Sequence, residues 1–233
     1  MQTDACIVLC FVKHPEPGKV KTRLAASLGD REAAGLYRCM ALDVLDKIRH
    51  SGLPCRVCVA PGDKAGEAGQ WLGWEHEARP QHGADLGDRM RSAFEEAFDE
   101  GYTRVILVGS DLPDLPSETF NGAAIALGGH EAVLGPAGDG GYYLVGFDVD
   151  GFCPEVFDGP EWGTNRVFEH TAAILAEYGR SVYFLRKWYD VDEPGDLARL
   201  VARVVAKKSR APRTLERLRS LPHAAVLRGP GAE

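Results

Sequence analysis

The first element of this chain restricts the fold most. Residues 5–12 (ACIVLCFV) are apolar without interruption, so an extended segment here has no polar position on either face. A strand of that kind must be covered on both sides, which points to an interior strand of a largely parallel sheet flanked by helices. The rest of the chain fits that frame. Helix-periodic apolar residues over 30–50 precede a short strand over 56–60, and a helix-like stretch over 64–72 is followed by an amphipathic helix over 86–100. Residues 103–108 read as a further buried strand, and Pro116 suits the first turn of a helix reaching residue 127. Strands over 132–134 and 142–147, a helix over 165–178, a strand over 181–185 and a helix from Pro194 complete an alternating α/β order.

Composition sets the outer bounds. At 233 residues, 45% hydrophobic and 26% charged, the chain suits one ordinary globular domain, expected over residues 1–206. The net charge of −7 hides a split: residues 207–233 hold seven basic and two acidic residues, +5 in all, leaving −12 for the remainder. That basic tail has no aromatic stacking residues, so it is expected to be a solvated helix with a frayed end and not a nucleic-acid surface. The N-terminal apolar run is too short for a signal sequence or a membrane span, so a cytoplasmic location is expected. Six scattered cysteines are expected to be reduced, and the lone CxxC of Cys55 and Cys58 has no second pair or histidine cluster to make it a metal site.

In a parallel sheet, ligands gather beyond the carboxyl ends of the strands. Four segments at such ends carry candidate chemistry. After the first strand, KHPEPGKVKTR places Lys13, Lys19, Lys21 and Arg23 around Gly18, a cationic loop suited to a polyphosphate. It is not a Walker A loop, because Val20 follows Lys19 where Ser or Thr would be needed. After the strand over 103–108, Asp111 is placed to hold Mg²⁺ or Mn²⁺, while Asp114 is either a second ligand or a cap for the next helix. The glycine-rich turn GPAGDGGYY puts Asp139, Gly140, Gly141 and Tyr142 where a sugar or ribose could lie, although a hairpin alone would explain its glycines. Finally, WYDVDEP offers Asp190 and Asp192 before a proline-initiated helix, with Asp192 also a candidate cap. No GxSxG, HExxH or comparable nucleophile setting competes with a metal-and-phosphate reading.

Taken together, PGKVKTRL, GSDLPDLP, GPAGDGGYYLVG, the Trp162 to Thr164 step in EWGTNRVFEHT, and DVDEPGDL resemble a bacterial glycosyltransferase-A-like family of the nucleotide-diphospho-sugar transferase superfamily. The ordered match runs over about residues 5–200, and relatives include molybdenum-cofactor nucleotidyltransferases and phospholactate guanylyltransferases. The resemblance implies a Rossmann-like three-layer α/β/α sandwich, a nucleotide in the first loop and a metal on Asp111. It adds Asp190 and Asp192 as metal ligands, Lys21 beside Asp111 as a catalytic residue, and Trp162 and Thr164 as substrate contacts. The chain departs from the usual DxD of such glycosyltransferases, having Ser110, Asp111 and Leu112 there. Transfer from a nucleotide-sugar donor to a small-molecule acceptor is the leading expectation. Nucleotidyl transfer with pyrophosphate release is the alternative, and a non-catalytic nucleotide-binding module stands third.

Overall fold

A computed structural model describes residues 5–73, 76–159, 162–206 and 210–221. Its centre is a seven-stranded sheet, β1 (Cys6–Lys13), β2 (Cys55–Ala60), β3 (Glu77–Pro80), β4 (Arg104–Gly109), β5 (Ala132–Pro136), β6 (Tyr142–Asp148) and β7 (Val182–Phe184), in the order β3-β2-β1-β4-β6-β5-β7. All pairings are parallel except those of β6, which runs antiparallel to both β4 and β5.

The uninterrupted apolar run of β1 has the predicted cause. Val8, Cys10 and Val12 enter one core with α2 (Asp30–Ser51), α3 (Gly69–Leu72) and α5 (Glu118–Ala126). Ile7, Leu9 and Phe11 enter the other, against α4 (Leu86–Asp99) and α6 (Val167–Glu177). The two-residue period of a strand sends alternate side chains to opposite faces, so both faces of β1 are buried and neither tolerates a polar residue. The same period separates the CxxC. Cys58 lies in the α4-side core and Cys55 packs against the α2-side core, so the two side chains face opposite sides of the sheet, and both thiols are pushed up to about 12 by burial.

The three-layer sandwich is thus as expected, with local differences. The segment over 64–72 is a two-turn 3-10 segment (Gly62–Glu67) followed by α3, and the short edge strand β3 has no counterpart among the expected strands. The basic loop is also shorter than it reads, because Thr22 already opens α1 (Thr22–Leu28).

The basic tail needs a correction. Of residues 207–233, only 210–221 are described, and within them α8 (Pro212–Ser220) is a packed helix, not a solvated one. Leu218 and Ala211 are buried with Leu36 and Met40 of α2 and with Leu197 and Leu200 of α7 (Pro194–Val205). The buried Asp43 carboxylate of α2 accepts hydrogen bonds from the backbone of Arg213 and Thr214 and from the Thr214 hydroxyl. The arginines that make the segment look like a solvated tail pair instead with acids of α2, Arg213 with Asp46 and Arg217 with Glu32. Among the described residues no helix is long and apolar enough to cross a membrane.

Candidate active site

The chain crosses from β1 to β2 over one face of the sheet, through α2, and from β3 to β4 over the other, through α4. The loops leaving β1 and β4 therefore diverge and open a crevice between them, the usual place for a ligand in such sheets. Tyr37 of α2 fixes both lips. Its hydroxyl accepts a hydrogen bond from the Lys13 backbone at 2.7 Å and lies 2.8 Å from the Ser110 hydroxyl. Sequence reasoning missed this residue, since its only signal is a polar-tipped aromatic on the apolar side of a helix.

Beyond Lys13 the loop turns at Gly18, with φ 79°, and buries Val20 against Ala34 and Tyr37. Lys21 then adopts a left-handed backbone (φ 49°, ψ 46°), a conformation that costs roughly 1–2 kcal/mol for a residue with a side chain. Buried residues on either side over-determine it, Val20 packing on α2 and Leu24 entering the α1/α7/α8 cluster. The result is a lysine whose side chain is only 4% exposed and whose Nζ lies 2.9 Å from Asp111 Oδ2 and 2.5 Å from Asp192 Oδ1. Burial works to lower its pKa, but the two carboxylates outweigh it and the net shift is upward.

Asp192 arrives from the other side. The segment before α7 is strung across the sheet edge, with the Trp188 N–H donating to Pro136 and the Val191 N–H donating to the Asp111 carbonyl. The Asp192 and Glu193 N–H groups are taken by the Asp196 carboxylate, which leaves the Asp192 side chain free of capping duty. Burial would raise the Asp192 pKa, yet Lys21 brings it below the usual value. Asp190, hydrogen-bonded to Asp192, is pushed up to about 7 by burial and by its acidic neighbours.

Two clefts meet here and share Asp139 and Asp190. The first, about 300 Å³, is lined by Asp111 and the predicted residues Asp139, Gly141, Tyr142, Trp162 and Thr164, together with Leu86 and Met90 at the start of α4. The second, about 240 Å³, is lined by Arg23 and Arg199 among Asp192, Glu193 and Asp196. The structure thus brings Asp111, Lys21, Asp190, Asp192 and the glycine-turn residues to one sheet edge. Lys13, Gly18 and Lys19 are exposed and line neither cleft. Gly140 serves the backbone, because with φ 92° a side chain there would meet the Asn165 carbonyl at 2.3 Å. Both tyrosine hydroxyls of the turn face inward, Tyr143 donating to the Arg186 carbonyl at 3.0 Å and Tyr142 lying 4.0 Å from Met90 Sδ.

Asp114 is neither ligand nor cap. It is fully buried and spent on Arg203, with Nε 2.6 Å away, and on the Trp188 indole N–H at 3.2 Å. Among the described residues no three His, Cys, Asp or Glu side chains form a ready cage for a metal ion. The donors nonetheless suit a sparse Mg²⁺ or Mn²⁺ site. Asp111 Oδ1 is buried without a hydrogen-bond partner, and two carboxylates face a single lysine while Asp190 is hydrogen-bonded to one of them, an excess of hard oxygen ligands over cations.

The sheet order, the crevice between β1 and β4 and the carboxylate cluster at its mouth define a protein with the nucleotide-diphospho-sugar transferase fold. The chain belongs to the family described as an uncharacterized protein conserved in bacteria (DUF2064), whose model matches residues 44–164. That match contains Asp111, the glycine turn, Trp162 and Thr164 but stops short of Lys21 on one side and Asp190 and Asp192 on the other. Over 132 residues the chain is 33% identical to a 3-phospho-D-glycerate guanylyltransferase of Phenylobacterium zucineum (strain HLK1), covering 54% of this chain and 59% of that protein. The chain therefore matches about three fifths of the length of this relative. A crystal structure from Desulfovibrio desulfuricans G20, provisionally described as a nucleotide-diphospho-sugar transferase, superposes with a TM-score of 0.86 at 40% identity over 96% of both chains. The 4-diphosphocytidyl-2C-methyl-D-erythritol synthase of Anaerococcus prevotii DSM 20548 shares the fold alone, with a TM-score of 0.58 at 10% identity over 87% of this chain and 99% of that one.

Proposed function

We propose that this chain is a metal-assisted nucleotidyltransferase that moves a nucleoside monophosphate from a nucleoside triphosphate to the phosphate of a small phosphorylated acid, releasing pyrophosphate. The observation that carries the reading is the buried Lys21 ammonium held between Asp111 and Asp192 at the mouth of the β1/β4 crevice. An acceptor phosphate oxygen forms the new bond to the α-phosphorus, and the bond from that phosphorus to the bridging oxygen breaks as pyrophosphate leaves. A phosphate monoester is largely dianionic near neutral pH, so its attack needs no general base.

What the site must supply is positive charge and alignment. Arg23, at the start of α1 and on the wall of the second cleft, serves the β- and γ-phosphates, and Lys21 serves the reacting region. Asp111, with Asp190 and Asp192, would hold Mg²⁺ or Mn²⁺, which when bound supplies positive charge to phosphate oxygens. The sugar-donor reading that leads from the sequence has weaker support. The two tyrosines that favoured it keep their hydroxyls inside the fold, whereas the curated relative is named for guanylyl transfer.

The test is a panel of GTP, CTP, ATP and UTP with 3-phospho-D-glycerate and other phosphorylated acids, run beside nucleotide sugars with Mg²⁺ or Mn²⁺. Acceptor-dependent pyrophosphate release supports the proposal. Nucleoside diphosphate release from a nucleotide sugar, with no pyrophosphate from any triphosphate, would return the assignment to sugar transfer.

A further inference from the structure

We propose that the Lys21 ammonium is a built-in counter-ion that competes with a divalent cation for Asp111 and Asp192, so that these carboxylates take up metal only when a polyphosphate draws the lysine away. The inference rests on the reading of Asp111 and Asp192 as metal-holding residues, and it concerns the order in which the site fills.

Three observations carry it. First, Nζ lies within hydrogen-bond reach of both carboxylates, 2.9 Å from Asp111 and 2.5 Å from Asp192, so a second cation cannot join the pair without like-charge repulsion at contact distance. Second, the placement is built and not incidental. A lysine side chain 4% exposed, on a left-handed backbone, is held by Val20 buried on one side and Leu24 on the other. Third, the lysine leaves the site incompletely satisfied, since Asp111 Oδ1 remains buried and unpartnered. One ammonium therefore neutralises the pair without using all its oxygens.

The consequence is coupling. Metal alone must displace a buried ammonium from two partly exposed carboxylates, whereas a polyphosphate offers the lysine a replacement anion and leaves the carboxylates open. Phosphate is a natural second partner, since lysine binds it as a mobile point charge on a flexible stem. A free site would collect divalent cations without substrate; this one would not.

The test is Mn²⁺ binding to the nucleotide-free protein, read by electron paramagnetic resonance, for wild type, Lys21→Met and Lys21→Gln. The second variant keeps an amide donor to the carboxylates should the first fold poorly. Removing a buried partner charge is a large perturbation, so both variants should bind Mn²⁺ roughly tenfold or more tightly than wild type. Mn²⁺ should also raise their melting temperatures more than it raises that of wild type. Adding Asp111→Asn to Lys21→Met should abolish the gain. Unchanged or weaker Mn²⁺ binding in both single variants, or a gain that survives Asp111→Asn, would overturn the proposal. The readout needs neither nucleotide nor turnover, so a failure to find nucleotidyl transfer would leave it standing.

Discussion

Asp111 and Asp114 lie three residues apart on one loop, in a run that repeats itself (SDLPDLP), yet the fold uses them in opposite ways. Asp114 is wholly buried, and both its oxygens are taken, by the Arg203 guanidinium and the Trp188 indole. The Asp111 side chain is 37% exposed, with one oxygen on Lys21 and the other without a partner. A carboxylate with both oxygens hydrogen-bonded has become part of the scaffold. One that keeps an unmet oxygen beside a cleft bears an energetic cost that only a ligand removes. The difference lies in coordination and not in residue type.

The sharpest way to break the comparison is to neutralise each in turn. Asp111→Asn should lower turnover by about a thousandfold or more, the scale of removing one preorganised electrostatic group, while moving the melting temperature by only about 2 °C. Steady-state pyrophosphate release and thermal melting, run on the same preparation, check both halves. Wild-type turnover from this variant would remove Asp111 from the chemistry. Asp114→Ala should do the reverse. It strands Arg203 and the Trp188 N–H inside the fold and should cost about 3 kcal/mol in urea denaturation, with activity per folded molecule changed only a few-fold. A mild stability loss with abolished turnover would make Asp114 a working ligand after all.

The sequence carries some of this contrast and hides the rest. The β1 run and the buried strand before Gly109 are legible because both sheet faces are apolar, and such runs have few alternatives. The edge strand β3 (EARP) has no apolar pattern to find, because its charged side chains pair with neighbours and do not enter a core. Asp111, Lys21, Asp190 and Asp192 are legible as types at strand ends. That Lys21 faces Asp192, 171 positions away, while Asp114 faces Arg203, 89 positions away, is a matter of long-range packing that no local pattern encodes. The same limit explains α8. Its arginines look solvated until α2 supplies acids at matching positions.

Asp43 extends the comparison to a third carboxylate, spent entirely on docking α8. Asp43→Ala removes three accepted hydrogen bonds and should cost about 2–3 kcal/mol by urea denaturation, with turnover per folded molecule retained. Truncation after Ala206 would expose Leu36 and Met40 and lose Leu218, so it too should destabilise, contrary to the solvated-tail reading. A truncated protein with an unchanged urea midpoint would restore that reading.

The smallest expected effect separates the two acids of DVDEP by pH. Asp190 titrates near 7 in the folded protein, because burial and Asp192 disfavour its charge. In the unfolded chain an aspartate titrates near 4, so from about pH 4 to 7 the folded state holds a proton that the unfolded state has lost. Stability from this group is therefore complete below about pH 4 and falls as pH rises towards 7. Asp192 has the opposite sign. Its folded pKa lies below the unfolded value, so its contribution is present above that value and is lost as pH falls through the folded one. Asp190→Asn should flatten the decline between pH 5 and 7.5 without touching the acid limb. After solvent screening, the difference from wild type should be about 1 kcal/mol, or 2–4 °C for a chain of this size. Melting curves of both proteins in chelator at pH 5 and 7.5 decide it. Parallel shifts would mean that Asp190 is ionised throughout.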